Sequence, residues 1–152
     1  MKKFICLILL ATMLLTALPF GASAAQETQT NDNIIYMDDG SYIVIEISEN
    51  LSRSTTVKNT KTYTYYSSSG NEEWKAVLSG TFTYNGTTST CTASSFDVTI
   101  TNTNWYLVSQ TVGKSGNSAT VEYTMGRKFL GITVDKRALS MTLTCDTNGN
   151  FS

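Results

Sequence analysis

Glu73-Trp74-Lys75-Ala76-Val77-Leu78-Ser79-Gly80-Thr81-Phe82-Thr83-Tyr84, followed at once by Asn85-Gly86, is the stretch that decides the fold. Trp74, Ala76, Leu78, Gly80, Phe82 and Tyr84 share one parity; Glu73, Lys75, Val77, Ser79, Thr81 and Thr83 share the other. A strand turns successive side chains to opposite faces, so this period of two sets an apolar face inward and a mostly polar face outward. Gly80 marks a bend or bulge within the strand. Asn-Gly supplies the positive φ angles of a tight hairpin turn, so residues 88–93 should return beside the long strand.

The same reading extends in both directions. Downstream, Cys91 and Ala93 are odd-numbered whereas Phe96, Val98 and Ile100 are even. A one-residue slip reverses the faces, so a bulge or break is expected near Ser94-Ser95. Residues 102–104 turn, 105–112 form a strand, and Lys114-Ser115-Gly116-Asn117 turn again. Ala119, Val121, Tyr123 and Met125 alternate with Thr120, Glu122 and Thr124. Residues 129–134 read as a less regular strand or loop, and Leu139, Met141, Leu143 and Cys145 as the inward face of a last strand. Upstream, residues 61–66 place Tyr63 and Tyr65 on one face, residues 49–59 read as a polar connection, and Asp38-Asp39-Gly40 joins two strands at 34–37 and 41–48. No segment has a helical period, and Thr, Val, Ile and Tyr outnumber the good helix formers. The expected fold is all-β, an antiparallel β-sandwich. The order Cys91, Trp105, Cys145 is compatible with an immunoglobulin-like topology, although Leu143 stands where such domains carry a tyrosine.

The first residues are of another kind. Lys2 and Lys3 precede an apolar run over residues 4–18, and Pro19 and Gly21 break it before Ala22-Ser23-Ala24. This is the pattern of a signal peptide over residues 1–24, with an apolar core short for a membrane span. Residues 25–33 follow as a flexible polar leader, and 34–152 as a single β-sandwich domain. The expected location is secreted and extracellular, with no membrane span after signal cleavage. Cys6 leaves with the signal, so Cys91 and Cys145 allow one pairing in an oxidising compartment. Closing a loop of about 55 residues contributes roughly 4 kcal/mol in the chain-entropy account. The alternative is two separate buried thiols.

The chain has 152 residues, no His, and a net charge of −1 from 11 Lys and Arg against 12 Asp and Glu. Without His there is no imidazole base and no His metal ligand, so no catalytic residue, metal or cofactor is assigned. Glu27, Asp32, Asp38, Asp39, Glu46 and Glu49 form an early acidic block, while the nine bases after residue 50 are dispersed. Neither arrangement is a nucleic-acid footprint, and no nucleic-acid partner is expected. Glu72 and Glu73 are adjacent in a strand and point to opposite faces, unlike a glycosidase pair. Asp146, Asn148 and Asn150 have the opening spacing of a calcium loop, yet the glycine and terminal glutamate of that loop are missing. Tyr66 and Tyr106 lie on the opposite parity to their aromatic neighbours. They are the candidate ligand-binding residues, because an exposed tyrosine face can stack on a sugar ring.

With these residues in view, the chain resembles a group of small secreted β-rich proteins of Gram-positive, clostridia-like bacteria. The resemblance covers about residues 36–152. It rests on Lys61-Thr62-Tyr63, Ser69-Gly70, Trp74, Gly80-Thr81-Phe82-Thr83-Tyr84-Asn85-Gly86, Cys91, Trp105, Lys114-Ser115-Gly116-Asn117, Leu143-Thr144-Cys145, Gly149 and Ser152. It implies secretion, a β-rich fold and paired cysteines, and it carries over no catalytic or binding residue. The expected function is a non-catalytic extracellular binding or interaction module whose partner is an extracellular protein or a glycan. A carbohydrate-binding module for cell-wall or environmental glycans, and a matrix or self-assembly protein, are the alternatives.

Overall fold

The alternating stretch becomes an inner strand of a six-stranded sheet in a computed structural model that describes residues 30–31, 33–48 and 55–152. The strands are β1 (Thr30–Asn31), β2 (Ile34–Tyr36), β3 (Tyr42–Ile47), β4 (Thr56–Tyr66), β5 (Glu72–Tyr84), β6 (Ser89–Ile100), β7 (Trp105–Ser115), β8 (Ser118–Phe129) and β9 (Ile132–Thr144). The first sheet runs β1-β2-β3-β4-β5-β6 and the second β7-β8-β9, antiparallel throughout. Each strand hydrogen-bonds only to its sequence neighbours, because tight turns force adjacent antiparallel pairing. The Greek-key crossing of an immunoglobulin domain is absent among the described strands. Trp105 pairs opposite Arg127 at one end of β7, whereas the Cys91 and Cys145 N–H groups meet Gly116 and Asn117 at the other.

The core forms where the apolar faces of the two sheets meet. Trp74, Ala76, Leu78 and Phe82 of β5 face Ala119, Val121, Tyr123 and Met125 of β8, with Ile43, Tyr65, Met141 and Leu143 beside them. Burying each large apolar side chain contributes about 1.5–3 kcal/mol. Gly80 is required by a close approach: a Cβ there would lie 2.3 Å from Cε2 of the Phe82 ring. Glycine lets Phe82 fold back over its own strand and reach the opposite sheet, where it meets Phe151 edge-on at 5.3 Å.

Three local expectations need correction and a fourth is sharpened. The bulge in β6 falls at Thr92, because Cys91 pairs with Phe82 while Ala93 pairs with Thr81. β6 continues unbroken through Ser94-Ser95, which pair with Gly80 and Ser79. β4 begins at Thr56, so part of the expected connection at 49–59 is strand. Val57 and Asn59 point inward there, and Asn59 Oδ1 accepts hydrogen bonds from the Ser48 hydroxyl and the Thr60 N–H. Residues 129–134 are the less regular strand of the two options expected: they form a hairpin tip in which Phe129 pairs with Ile132 across Leu130-Gly131, and the ladder slips by one residue at Val134. Finally, Thr30 and Asn31 of the expected leader pair with Ile35 and Ile34. The signal peptide expected over residues 1–24 lies outside the described residues.

Candidate functional site

Alternation that buries Ile35, Ile43 and Tyr65 turns Tyr36, Tyr42 and Tyr66 to the outer face of the six-stranded sheet. Register then aligns them, Tyr36 opposite Tyr42 and Tyr42 opposite Tyr66. The Tyr42 and Tyr66 rings stack with centroids 5.0 Å apart and planes 14° from parallel. Tyr36 and Tyr42 are tilted, 6.0 Å apart, and Tyr36 is exposed. The row ends at Glu72, which pairs with Tyr66 and accepts a 3.0 Å hydrogen bond from the Thr101 hydroxyl. Beside it, the Ser67–Asn71 turn presents hydroxyl and amide groups, with Asn71 Nδ2 donating to Ser69 Oγ at 3.0 Å. Three aromatic rings with flanking acceptors and donors form a row across β2, β3 and β4.

Tyr66 therefore lies within a larger aromatic surface, whereas Tyr106 lies on the outer face of the other sheet. The Tyr106 ring covers Gly126, where a Cβ would come within 2.6 Å of it. Its hydroxyl shares a 2.7 Å hydrogen bond with Thr133, and Lys128 Nζ sits 4.5 Å from its centroid. Tyr106 is thus engaged by its own sheet, and the two tyrosines are not brought together. Tyr36 and Tyr42 were not singled out from the sequence. Their signal was symmetry about the Asp38-Asp39-Gly40 turn, which makes residues 36 and 42 cross-strand partners.

The carboxylates at this end of the sandwich are held by neighbours. Arg137 projects from β9 toward the β2–β3 turn, with its guanidinium 5.0 Å from the Tyr65 ring and 5.8 Å from that of Trp105. Its Nη2 donates to Asp39 at 2.5 Å and its Nε to Asp135 at 2.9 Å, clasping the two sheets together. Glu73 accepts from Trp105 Nε1 at 3.0 Å and from Asn102 Nδ2 at 2.6 Å. Partial burial pushes the Asp39 carboxyl up, but hydrogen bonds from Ser41 and Arg137 outweigh it and hold the group at about 2. The unfolded chain binds this proton more readily, so the stabilisation is complete above the ordinary value of 3.8 and is lost as pH falls toward about 2. Urea unfolding between about pH 4 and pH 2 should show this acid limb, and Arg137→Met should flatten it. An unchanged slope in Arg137→Met would refute the clasp.

At the opposite end, Asp146 Oδ1 accepts from the N–H groups of Asn148 and Asn150, both at 2.8 Å, and its Oδ2 from Asn150 Nδ2. The side-chain and backbone hydrogen bonds from Asn150 pull the carboxyl below its ordinary value. This is the chemistry of a turn, closing the chain so that Cys145 pairs with Phe151. No group of three or more metal-ligating side chains occurs among the described residues. No helix among them is long and apolar enough to cross a membrane.

Cys91 and Cys145 are both buried, and the bond expected between them is not formed in this structure. Cys91 Sγ donates to the Ala93 carbonyl at 3.3 Å and Cys145 Sγ to the Asp146 carbonyl at 3.4 Å. Burial pushes both thiols up, and they are near enough that charge on Cys145 further disfavours charge on Cys91. Comparison of the chain with protein-family models, with curated proteins and with solved structures gives no match.

Proposed function

We propose that this chain is an exported, non-catalytic β-sandwich binding module, that its contact surface is the Tyr36–Tyr42–Tyr66 row, and that its ligands are glycans. The supporting observation is the row itself, three tyrosine rings in register on a solvent-facing sheet beside Glu72 and the polar Ser67–Asn71 turn. Aromatic faces bind the apolar faces of sugars at low entropic cost, while carboxylate, hydroxyl and amide groups bond sugar hydroxyls. Export rests on the signal pattern of residues 1–24, and it carries a second proposal, that Cys91 and Cys145 join outside the cell. Insoluble-polysaccharide pull-down tests the reading. Tyr36→Ala and Tyr66→Ala should each weaken binding roughly three- to tenfold, while Tyr106→Ala leaves it unchanged. Retention by both row variants, or no binding to any polysaccharide, would count against it.

A matrix or assembly role has one feature in its favour. β9 is a 13-residue strand that pairs with β8 alone among the described strands. Asp135, Lys136 and Arg137 blunt that edge with charge, and Lys61 Nζ bonds the Thr142 carbonyl at 3.0 Å. Light scattering that shows oligomers growing with concentration would favour this second reading.

A further inference from the structure

The β8–β9 turn is made of residues that neither backbone preference nor burial explains. Leu130 and Gly131 have φ of 51° and 81°, in the left-handed region where Asn, Asp or Gly is the low-energy choice and Leu is not. Leu130 gains no packing in exchange, being 87 % exposed, and Phe129, Ile132 and Val134 are 62, 70 and 53 % exposed. Other hairpin turns carry Asp39-Gly40, Ser69-Gly70, Asn85-Gly86 and Gly116-Asn117. The tip also extends beyond β7, whose first residue pairs with Arg127, so Phe129 and Ile132 have only each other across the ladder.

A basic collar surrounds the apolar tip. Arg127, Lys128 and Lys136 are exposed on its two strands, and none has an ion-pair partner among the described residues. Asp135, the acid between them, is occupied by Arg137 at 2.9 Å. Strand geometry sets the tip about 5–10 Å beyond the collar, which is the depth of the headgroup–acyl boundary. We propose that this hairpin is a membrane-surface anchor: Phe129, Leu130 and Ile132 enter the boundary of an anionic bilayer while Arg127, Lys128 and Lys136 meet its phosphates. Charge complementarity selects the occupant, because a neutral apolar partner would leave the collar unanswered. The anchor is separate from the tyrosine row and does not depend on the glycan reading.

Co-sedimentation with vesicles tests it, using phosphatidylcholine alone and phosphatidylcholine mixed with phosphatidylglycerol. The chain should sediment with the anionic vesicles and not with the neutral ones. Arg127→Gln, Lys128→Gln and Lys136→Gln should each lower the partition coefficient about fivefold. Phe129→Thr with Leu130→Asn should lower it about tenfold or more. Asn suits the φ of position 130, so this double variant should keep or raise the melting temperature, which separates binding from folding. Tyr36→Ala should sediment like the unsubstituted chain, whatever becomes of glycan binding. Absence of vesicle binding, or equal binding by the double variant, overturns the anchor. A dimer in light scattering that the double variant abolishes would assign the tip to a second copy of the chain and overturn it equally.

Discussion

Trp74→Ala should cost the domain about 3–5 kcal/mol, the range for deleting a large aromatic from a core. The side chain is fully buried at the centre of the sandwich. Its ring stacks on Tyr65 at 5.1 Å and 18°, and meets Trp105 at 6.3 Å and Tyr123 at 6.1 Å edge-on. These partners come from both sheets, so the cavity left by alanine cannot close without moving one sheet against the other. A loss of that size consumes much of the 5–15 kcal/mol typical of a domain. Trp74→Phe is the informative companion. Trp74 Nε1 is buried without a hydrogen-bond partner among the described residues, a penalty that phenylalanine removes. Phenylalanine should therefore cost far less than alanine. Urea unfolding followed by far-ultraviolet circular dichroism measures both variants. A loss below about 2 kcal/mol in Trp74→Ala would mean that the sheets are not keyed together by this ring.

What could be read from the chain and what could not divide along a physical line. The long β5 strand was legible because both its faces obey one parity for twelve residues and Asn85-Gly86 names its turn. Parity within a strand is local information. Bulge positions are not local: the shift at Cys91 was legible, but its place at Thr92 follows from how Phe82 folds over Gly80 on the neighbouring strand. The start of β4 was hidden for a similar reason, since Val57 is the one apolar residue from Thr56 to Asn59 and the segment is held by pairing with Gly80 to Thr83. The tyrosine row is a property of three registers at once. Tyr66 could be marked as outward by its parity, but Tyr36 and Tyr42 joined it only through the ladder. The β8–β9 turn escaped notice because Leu130 is not a turn-forming residue, which is also why it calls for a functional explanation.

Chain recovered from culture medium should be lighter than its reduced form by two hydrogens, and reduction should lower its stability by roughly 4 kcal/mol, or about 10–20 °C in Tm. The fold sets both cysteines against one turn. The Cys91 N–H donates to the Gly116 carbonyl at 2.8 Å and the Cys145 N–H to the Asn117 carbonyl at 3.1 Å, so adjacent carbonyls of the β7–β8 hairpin hold the two residues. A bond there would connect β6 of one sheet to the end of β9 in the other, which share no ladder. The cross-link would close a loop of about 55 residues, restricting the unfolded chain far more than the folded one. Burial, which pushes both thiols up, also sets the timing. Few thiolates form at neutral pH in the folded domain, so the bond should close during folding, by exchange with an oxidised dithiol catalyst that is itself reduced. Refolding with oxidised glutathione should then give the lighter species, while the folded, reduced domain treated with the same reagent should oxidise slowly. Quantitative alkylation of both cysteines in secreted protein, without reductant, would show instead that the core carries two independent thiols. The Cys91→Ala/Cys145→Ala variant should then be no less stable than either single substitution predicts by addition.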